Sequence, residues 1–462
     1  MVPRTLLRMT GGATLADGGD RLRIQSGRHD GSELGVLPAG VRTALLALNG
    51  GGATENELLA AVSRTDGASA SSLLYYALHD LAGRGLLAHC ATGAGPLASV
   101  NGRSPLADGQ RRATADATYA FSRTALIRRS GSIMLAESAR SSAQVVIHDP
   151  RVLSLIALPG TPRPLAEIDT AACGLTSGEV TEVVSLLLTC GMVEENGAEE
   201  DGPVSYWELP DMLLHARSRV GRHLGGYGGT YALRDRFPAP PATKPPMSGE
   251  PFELFTPDVE WLAREDMPFT GVLEGRRSTR HFGDPPIDRR QLGELLYRAA
   301  RQRGAFSGDS GQELGSRPYP AGGGIYELEI YLAVDACQDL PRGFYHYHPA
   351  EHRLYRLTAD EAVVRTFVQS ARGSSGSTNP QVVLTIAARF DRFFWKYESI
   401  RYAAILKNVG VLYQTLYLVA EAMGLGACAL GGGESDYLSE VTGLDYYTES
   451  AVGEFMVGSR AS

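Results

Sequence analysis

Hydrophobic residues between positions 37 and 89 recur with a helical period. They predict one helix around Val41–Leu48, a second opened by Thr54-Glu55-Asn56-Glu57, and a third over Leu73–Ala82. In the third helix the apolar side chains recur every three or four residues and so share one face. A glycine-containing turn and the short strand Leu86–His89 follow. Three helices followed by a small strand are the outline of a winged-helix module.

The same outline recurs between residues 144 and 195. A helix is predicted from Pro150 to Leu158, and another over Val180–Thr189. The two modules end in similar segments, Leu81-Ala82-Gly83-Arg84-Gly85-Leu86-Leu87 and Leu187-Leu188-Thr189-Cys190-Gly191-Met192-Val193. Such self-similarity indicates a repeat. The N-terminal half is therefore predicted to hold tandem winged-helix-like modules, at residues 1–108 and 109–200.

The charge pattern argues against a nucleic-acid partner for these modules. The third helix of a winged helix can enter the major groove of DNA, but neither candidate helix, at residues 71–82 or 180–189, carries an arginine or a lysine. The whole chain has 44 basic and 52 acidic residues, a formal charge of −8, so it has no broad attraction to nucleic acid or to an anionic membrane. Peptide binding along the wing strand and simple structural packing both stay open.

A proline-rich stretch, Phe237–Pro246, separates the two halves of the chain. Its composition predicts polyproline II and a semi-rigid spacer, within a linker at residues 201–255. The remaining residues, 256–462, have the size of one α+β domain. Within them, alternation over Glu327–Val334 predicts a strand, and the stretch Ser399–Met423 predicts a long helix.

Cysteine and lysine usage indicates the redox environment of the protein and singles out a few basic residues. The five cysteines include no CxxC pair, so neither a disulfide framework nor a metal site is expected, and a reducing, cytoplasmic setting is favoured. No apolar run approaches the roughly 20 residues of a membrane span, so no membrane partner is expected. Only three of the basic residues are lysines, Lys244, Lys396 and Lys407. A lysine kept where arginine is the rule can mark a position that needs a compact, titratable amine.

Two loop segments could carry chemistry. The first, Arg276-Arg277-Ser278-Thr279-Arg280-His281-Phe282, sets three arginines and two hydroxyls within five residues. These donors suit a phosphate monoester, although a solvated basic turn is the alternative. The second, Arg317-Pro318-Tyr319-Pro320-Ala321-Gly322-Gly323-Gly324-Ile325-Tyr326, contains three consecutive glycines. Glycines let the backbone approach a flat ligand closely, although a flexible hairpin loop has the same composition.

Two further segments complete the set. In Trp395-Lys396-Tyr397, an ammonium next to a phenol would favour the phenolate and lower the pKa of the tyrosine. The alternative is an aromatic core residue beside a surface lysine. The last segment combines the glycine-rich turn Gly424–Gly433 with the terminal Phe455–Arg460, which together could line a cofactor and clamp its phosphate.

The order and spacing of these four segments resemble the nitroreductase-like flavoproteins, and in particular the SagB-type azoline dehydrogenases that act on thiazole/oxazole-modified peptides. The resemblance covers residues 256–462, and the upstream segments Phe121–Asp149 and Trp207–Thr230 are similar to members with N-terminal winged-helix-like modules. It implies an FMN enzyme that works as a domain-exchanged homodimer, with two flavins at the subunit interface.

The resemblance also implies roles for individual residues. Lys396 and Tyr397 match the catalytic lysine–tyrosine motif of the family. The implied FMN-binding residues are Arg276, Arg277, Ser278, Arg280, Pro320, Ala321, Gly322, Gly323, Leu430, Gly431 and Arg460. Among these, the arginines and the serine would hold the phosphate and ribityl chain, Leu430 and Gly431 would pack near the flavin ring, and the loop at Pro320 would approach the flavin of the partner subunit. The chain departs from the family pattern at Glu327 and at Gly410-Val411, where members often carry proline and Gly-His.

The function implied is FMN-dependent oxidation of thiazoline or oxazoline rings to thiazole or oxazole in a ribosomally made peptide. The expected partners are the azoline-containing precursor peptide, a second copy of the chain and a cyclodehydratase. Two alternatives stay open: a nitroreductase-like NAD(P)H:FMN oxidoreductase acting on a small molecule, and a non-catalytic scaffold of a peptide-modifying complex.

Overall fold

The computed structural model describes residues 4–26, 31–101, 111–157, 161–198, 202–221, 223 and 225–461. Contacts along the chain separate two compact units, Met1–Gly225 and Gly226–Ser462. Each unit has hydrophobic core clusters of its own.

The N-terminal unit is mixed α/β. Its helices are α1 (Ala39–Leu46), α2 (Glu55–Asp66), α3 (Ser71–Gly83), α4 (Pro150–Ala157), α5 (Thr170–Cys173), α6 (Ser177–Thr189) and α7 (Leu209–Arg217). Its strands are β1 (Arg4–Met9), β2 (Thr14–Asp17), β3 (Leu22–Gln25), β4 (Leu87–Thr92), β5 (Pro96–Asn101), β6 (Thr118–Phe121), β7 (Ala125–Ser130), β8 (Ile133–Ser138), β9 (Gln144–Ile147), β10 (Arg163–Pro164) and β11 (Val193–Glu195). Both α2 and α6 begin at a capping box, in which a threonine and the glutamate three residues later satisfy each other's backbone N–H.

The two predicted repeats end in the same way. After α3, Leu86 N–H donates to Leu81 O at 2.8 Å, and after α6, Met192 N–H donates to Leu187 O at 2.9 Å. The glycine before each donor has a φ of 72° or 69°. This left-handed turn is the helix ending that glycine favours, so the sequence similarity reflects a shared backbone geometry.

One sheet takes strands from both predicted modules. Its six strands run in the order β1-β4-β5-β9-β8-β7, and β5 pairs with β9 from Ala98↔Ile147 to Asn101↔Gln144. A second sheet has the order β10-β6-β11. The mixed α/β character is therefore observed, and the winged-helix assignment stays a prediction.

The C-terminal unit is an antiparallel sheet covered by helices. Its helices are α8 (Val259–Glu265), α9 (Phe269–Gly275), α10 (Arg289–Ala300), α11 (Glu361–Ser375), α12 (Phe390–Lys396), α13 (Arg401–Ala422) and α14 (Ser435–Thr442). Its strands are β12 (Gly228–Gly229), β13 (Glu250–Glu253), β14 (Gly304–Ser307), β15 (Glu313–Ser316), β16 (Leu328–Val334), β17 (Gly343–His348), β18 (Arg353–Thr358), β19 (Val382–Arg389), β20 (Tyr397–Glu398), β21 (Leu425–Leu430) and β22 (Glu449–Ser459).

The main sheet of this unit has seven strands in the order β13-β18-β17-β16-β19-β22-β21. Every neighbouring pair is antiparallel. One face packs against α10 and α13 and the other against α11 and α14, so β16 and β19 are buried along their whole length. Antiparallel strands with helices on both faces confirm the predicted α+β class for this unit.

The proline-rich stretch belongs to the C-terminal unit and is bonded to its helices and strands at several points. Arg392 Nη1 donates to Pro240 O at 2.9 Å, Arg389 Nη2 donates to Pro241 O at 3.0 Å, and Lys244 Nζ lies 2.8 Å from a carboxylate oxygen of Glu449. The sequence predicts a semi-rigid spacer here. In the structure the stretch is a strap, because prolines leave carbonyls that no helix or sheet uses and buried arginines need such acceptors.

Helix α13 spans 22 residues beside the sheet. By length and mean hydropathy, 1.3, it also has the character of a membrane span, although composition alone supports that comparison. Its apolar residues Ile405, Leu412 and Leu416 are buried in the core of the unit, against the sheet and α10. The two flanks of this buried face carry the candidate site.

Candidate active site

The predicted phosphate-binding turn lies against the edge strand β21. Thr279 N–H donates to Ala427 O at 2.7 Å, and Ser278 Oγ lies 2.9 Å from Tyr417 Oη on α13. The guanidinium of Arg276 stands over the Tyr417 ring at 5.1 Å from its centroid. The turn is thus fixed through its backbone and one aromatic ring, which leaves the arginine donors free to face a ligand.

Arg460 reaches the same corner from the end of β22. Its backbone pairs with Phe282 in an isolated antiparallel bridge, and its guanidinium forms an ion pair with Glu421 of α13. By contrast, Arg277 and Arg280 are exposed and form no ion pair with a carboxylate in the described part of the chain. The charge of Arg460 is therefore partly neutralised, whereas that of Arg277 and Arg280 is not.

A cavity of about 380 Å³ adjoins this corner. It is lined by Leu406, Val409, Gly410, Tyr413, Leu430, Gly431, Gly432, Gly433, Ser435, Ala451, Val452, Gly453 and Glu454. Tyr413 and Tyr417 are four residues apart on α13, so they share a face, and one lines the cavity while the other supports the turn. The cavity and the turn are therefore neighbours.

The cavity fits the flavin group that the sequence implies. Its volume lies within the roughly 300–1,000 Å³ of small-molecule sites, and its lining combines apolar side chains with the backbone of several glycines. At Gly431, nothing lies within 4 Å of the position that a Cβ would take, so the backbone there is open to a flat ligand. The exposed Arg277 and Arg280 of the neighbouring turn would supply the donors that a phosphate tail requires.

The predicted catalytic pair lies on the opposite flank of α13. Tyr397 follows α12 directly, and its ring stacks on Phe393 with centroids 4.8 Å apart. Lys396 Nζ donates to Gly323 O at 3.3 Å and lies 5.4 Å from the Tyr397 ring centroid. The backbone of Tyr397 is held in place by pairing with Gly229 in the short β12–β20 ladder.

The glycine-rich loop is built around this pair. A Cβ on Gly323 would stand 2.2 Å from Tyr397 Oη and 2.8 Å from Lys396 Nζ. Gly323 also has a φ of 62°, which disfavours any residue with a side chain. The structure therefore brings Gly323, Lys396 and Tyr397 together and explains why glycine is required at the middle of the loop.

Sequence reasoning missed the two residues that anchor this loop to α13. Asn408 Oδ1 accepts from Gly322 N–H at 3.1 Å, and Asn408 Nδ2 donates to Glu327 Oε1 at 2.8 Å. Glu327 is fully buried, and burial raises the pKa of its carboxyl against the opposing effect of the Asn408 hydrogen bond. A polar residue on the buried face of a predicted helix is the sequence signal that could have identified Asn408.

The predicted lowering of the Tyr397 pKa is wrong for this structure. Burial is the main cause that raises the pKa of Tyr397, and the nearby Tyr231 and Glu327 raise it further. Adjacency in sequence places Lys396 beside the ring of Tyr397, but it does not reveal that the phenol is half-buried. The phenol is therefore protonated near neutral pH, and its conversion to phenolate has to be driven by the setting of the reaction.

The two clusters face different sides of α13. The glycine-rich loop is bonded to Asn408 and the phosphate-binding turn to Tyr417, nine residues further along the helix. At 3.6 residues per turn, nine residues place the two side chains half a turn apart and about 14 Å apart along the axis. Leu430 and Gly431 lie on the same side as the turn, whereas Pro320–Gly323 and Lys396-Tyr397 lie on the other.

Comparison with known proteins defines the class. Residues 273–459, which contain the turn, the loop, the lysine–tyrosine pair and the last strand, match the model of the nitroreductase family. Residues 119–224 match the model described as cyanobactin oxidase ThcOx. The chain therefore carries a region similar to the nitroreductase family over residues 273–459 and a separate region similar to cyanobactin oxidase ThcOx over residues 119–224.

The similar proteins include both a nitroreductase and a peptide-processing protein. A candidate nitroreductase of Methanocaldococcus jannaschii is 29% identical over 199 residues, which are 43% of this chain and 93% of that protein. The microcin B17-processing protein McbC of Escherichia coli is 30% identical over 142 residues, which are 29% of this chain and half of that protein. The solved E. coli microcin synthetase McbBCD complex with truncated pro-MccB17 bound gives a TM-score of 0.34 at 21% identity, over 56% of this chain and 96% of that one.

Proposed function

We propose that this protein oxidises azoline rings to azoles in a ribosomally synthesised peptide, as an FMN-dependent dehydrogenase. The observation that carries the proposal is the pair Lys396-Tyr397, held against the glycine-rich loop of a nitroreductase-family domain. The match of residues 119–224 to cyanobactin oxidase and the similarity to McbC support azoline oxidation in such a peptide over reduction of a small molecule.

FMN is the cofactor that we propose. The nitroreductase family is typically FMN-binding. In this chain, Arg276, Arg277, Ser278 and Arg280 would hold the phosphate, while Leu430 and Gly431 would line the space for the ring system. When bound, FMN supplies a hydride acceptor for a two-electron oxidation.

Lys396 and Tyr397 supply the proton transfer in this proposal. Aromatisation of an azoline removes one hydride and one proton from the ring, and the proton needs an acceptor. Tyr397 Oη would be that acceptor in its phenolate form, after the phenol proton has been lost to solvent, and this oxygen is presented toward Gly323 at the surface of the loop. The Lys396 ammonium stabilises the phenolate form, which the half-buried setting otherwise disfavours.

A second copy of the chain would complete the site. Within one chain, the phosphate-binding turn and the lysine–tyrosine pair lie on opposite flanks of α13. A homodimer in which α13 packs beside its counterpart would bring the pair of one subunit to the flavin of the other. Exposed apolar side chains on this helix, Tyr402 at 41% and Leu406 at 38%, are consistent with such packing.

We propose that the N-terminal unit contacts the precursor peptide or a cyclodehydratase, through two winged-helix-like modules. The matching helix endings of α3 and α6 support the interpretation as a repeat. The relative McbC is part of a synthetase complex that holds a truncated precursor. The edge strand β7 would offer backbone to an extended peptide, whereas the outer edge of β1 is bridged by Ala53 at Leu7.

The test begins with the visible absorption of the purified protein and continues with mass spectrometry of an azoline-bearing peptide incubated with it in air. Flavin absorption and a loss of about 2 Da per ring, the mass of two hydrogens, are expected. Flavin that NADPH reduces rapidly, without any mass change in the peptide, would favour the small-molecule reductase. A colourless protein would leave the non-catalytic scaffold as the remaining alternative.

A further inference from the structure

A single carboxyl group lines the cavity beside the phosphate-binding turn. Glu454 lies on β22 opposite Leu430 of β21, and only 7% of it is exposed. Its carboxyl group packs on the loop after β21, where a Cβ on Gly433 would stand 1.9 Å from Glu454 Cδ. In the described part of the chain, no residue donates a hydrogen bond to this carboxyl group. A buried carboxyl group without a hydrogen-bond donor, at the wall of a cavity, is left unexplained by the packing around it.

The surroundings of Glu454 favour its neutral form. Burial, together with a smaller effect of the neighbouring Glu434, raises the pKa of Glu454 to about 7. Tyr413 faces it from α13, and burial also raises the pKa of that phenol. No lysine, arginine or histidine belongs to the cavity lining. A carboxylate here therefore has no cation to compensate it.

We propose that Glu454 couples flavin binding to the uptake of one proton, so that the ring system enters the cavity only beside the neutral carboxylic acid. The inference rests on the proposed function, because it places FMN in this cavity. A ring that fills the cavity excludes the remaining water from Glu454, and water is what stabilises an unpaired carboxylate. Binding and protonation must then favour each other reciprocally.

The pH dependence of flavin affinity tests this coupling. The dissociation constants of FMN and riboflavin are measured by flavin fluorescence from about pH 6 to pH 9. Above about pH 7, each dissociation constant should rise by close to tenfold per pH unit, because binding consumes a proton that the free protein has lost. Riboflavin is included because it has no phosphate, whose own titration near pH 6 would affect FMN.

Two variants separate the effect from other causes. Glu454→Gln keeps the shape but cannot ionise, so riboflavin should bind with an affinity that no longer depends on pH, and FMN should keep only the dependence that its phosphate causes near pH 6. Glu434→Gln removes a neighbouring negative charge, which lowers the pKa of Glu454, so the onset of weakening should move to lower pH while the slope remains. Because the Glu434 side chain is exposed, Glu434→Gln should fold normally, and it keeps the test available if Glu454→Gln folds poorly.

The outcomes distinguish this inference from the proposed function. Flavin that binds wild type with the same affinity across this range would overturn the coupling and leave the FMN enzyme intact. An unchanged slope in Glu454→Gln would overturn it as well. Failure of the wild type to bind either flavin at any pH would overturn both.

Discussion

Gly323→Ala perturbs the candidate site by a single methyl group. The new Cβ would stand 2.2 Å from Tyr397 Oη and 2.8 Å from Lys396 Nζ. Non-bonded heavy atoms settle at about 3.5–4.0 Å, so the phenol oxygen has to retreat by more than about 1 Å. A misplacement of about 1 Å in a reacting group can cost about 100-fold in rate. We expect that loss in azole formation, because the lysine amine can swing aside and the stacked tyrosine ring cannot.

Gly324→Ala is the matched control. Gly324 has a φ of 69°, against 62° for Gly323, so an alanine carries the same left-handed backbone strain at either position. That strain costs roughly 1–2 kcal/mol in the free energy of unfolding. The nearest atom to a Cβ on Gly324 is Leu314 Cβ at 3.6 Å, an ordinary contact. The two variants should therefore lose similar stability, while only Gly323→Ala loses the reaction.

Three measurements on both variants test whether Tyr397 and Lys396 lie at the reacting ring. Thermal melting reports the shared strain, the ratio of flavin absorbance to protein reports cofactor retention, and mass spectrometry of an azoline peptide reports turnover. Equal turnover in Gly323→Ala and Gly324→Ala, at equal flavin content, would refute the placement of Tyr397 and Lys396 at the reacting ring.

Three other predictions concern the phenol, the turn and the strap. Tyr397→Phe should retain flavin, while the rate of azole formation falls by about 100-fold or more. In the wild type saturated with flavin, that rate should rise with pH toward the raised pKa of Tyr397, because the phenolate fraction grows. A flat pH profile would contradict the phenolate as proton acceptor. Arg280→Ala should weaken FMN binding and leave riboflavin binding unchanged, and an equal effect on both ligands would rule out a phosphate contact. Lys244→Met leaves the buried Glu449 without its cation, so urea unfolding should show a loss of about 3–5 kcal/mol, and a loss under about 1 kcal/mol would contradict a buried ion pair.

The sequence predicted local structure where local signals decide it. The opening Thr54-Glu55-Asn56-Glu57 predicts the start of α2, and alternation predicts β16. The helix predicted over Val180–Thr189 begins at Ser177 in the structure. The α+β class of the C-terminal unit was also predicted. The shared N-terminal sheet was not, because pairing between β5 and β9 depends on residues more than 40 positions apart.

The sequence predicts which residues form the candidate site, but it does not predict their pKa shifts. The motifs identified Gly323, Lys396 and Tyr397, and the structure brings these three together. The sign of the Tyr397 pKa shift was wrong because burial depends on tertiary packing. The sequence does not predict a role for Glu454 for the same reason, since a lone glutamate next to a glycine in a strand gives no sign that it faces a cavity.

The continuous N-terminal sheet limits where the chain can be divided. A cut at residue 108, between the two similar halves, would separate β5 from β9 and leave two strands with open backbone edges. Open edges of this kind promote edge-to-edge aggregation. A fragment meant to report peptide recognition alone should therefore extend through Gly225, where the contacts of the chain divide naturally. The similar segments that end the two predicted modules therefore do not mark separable folding units.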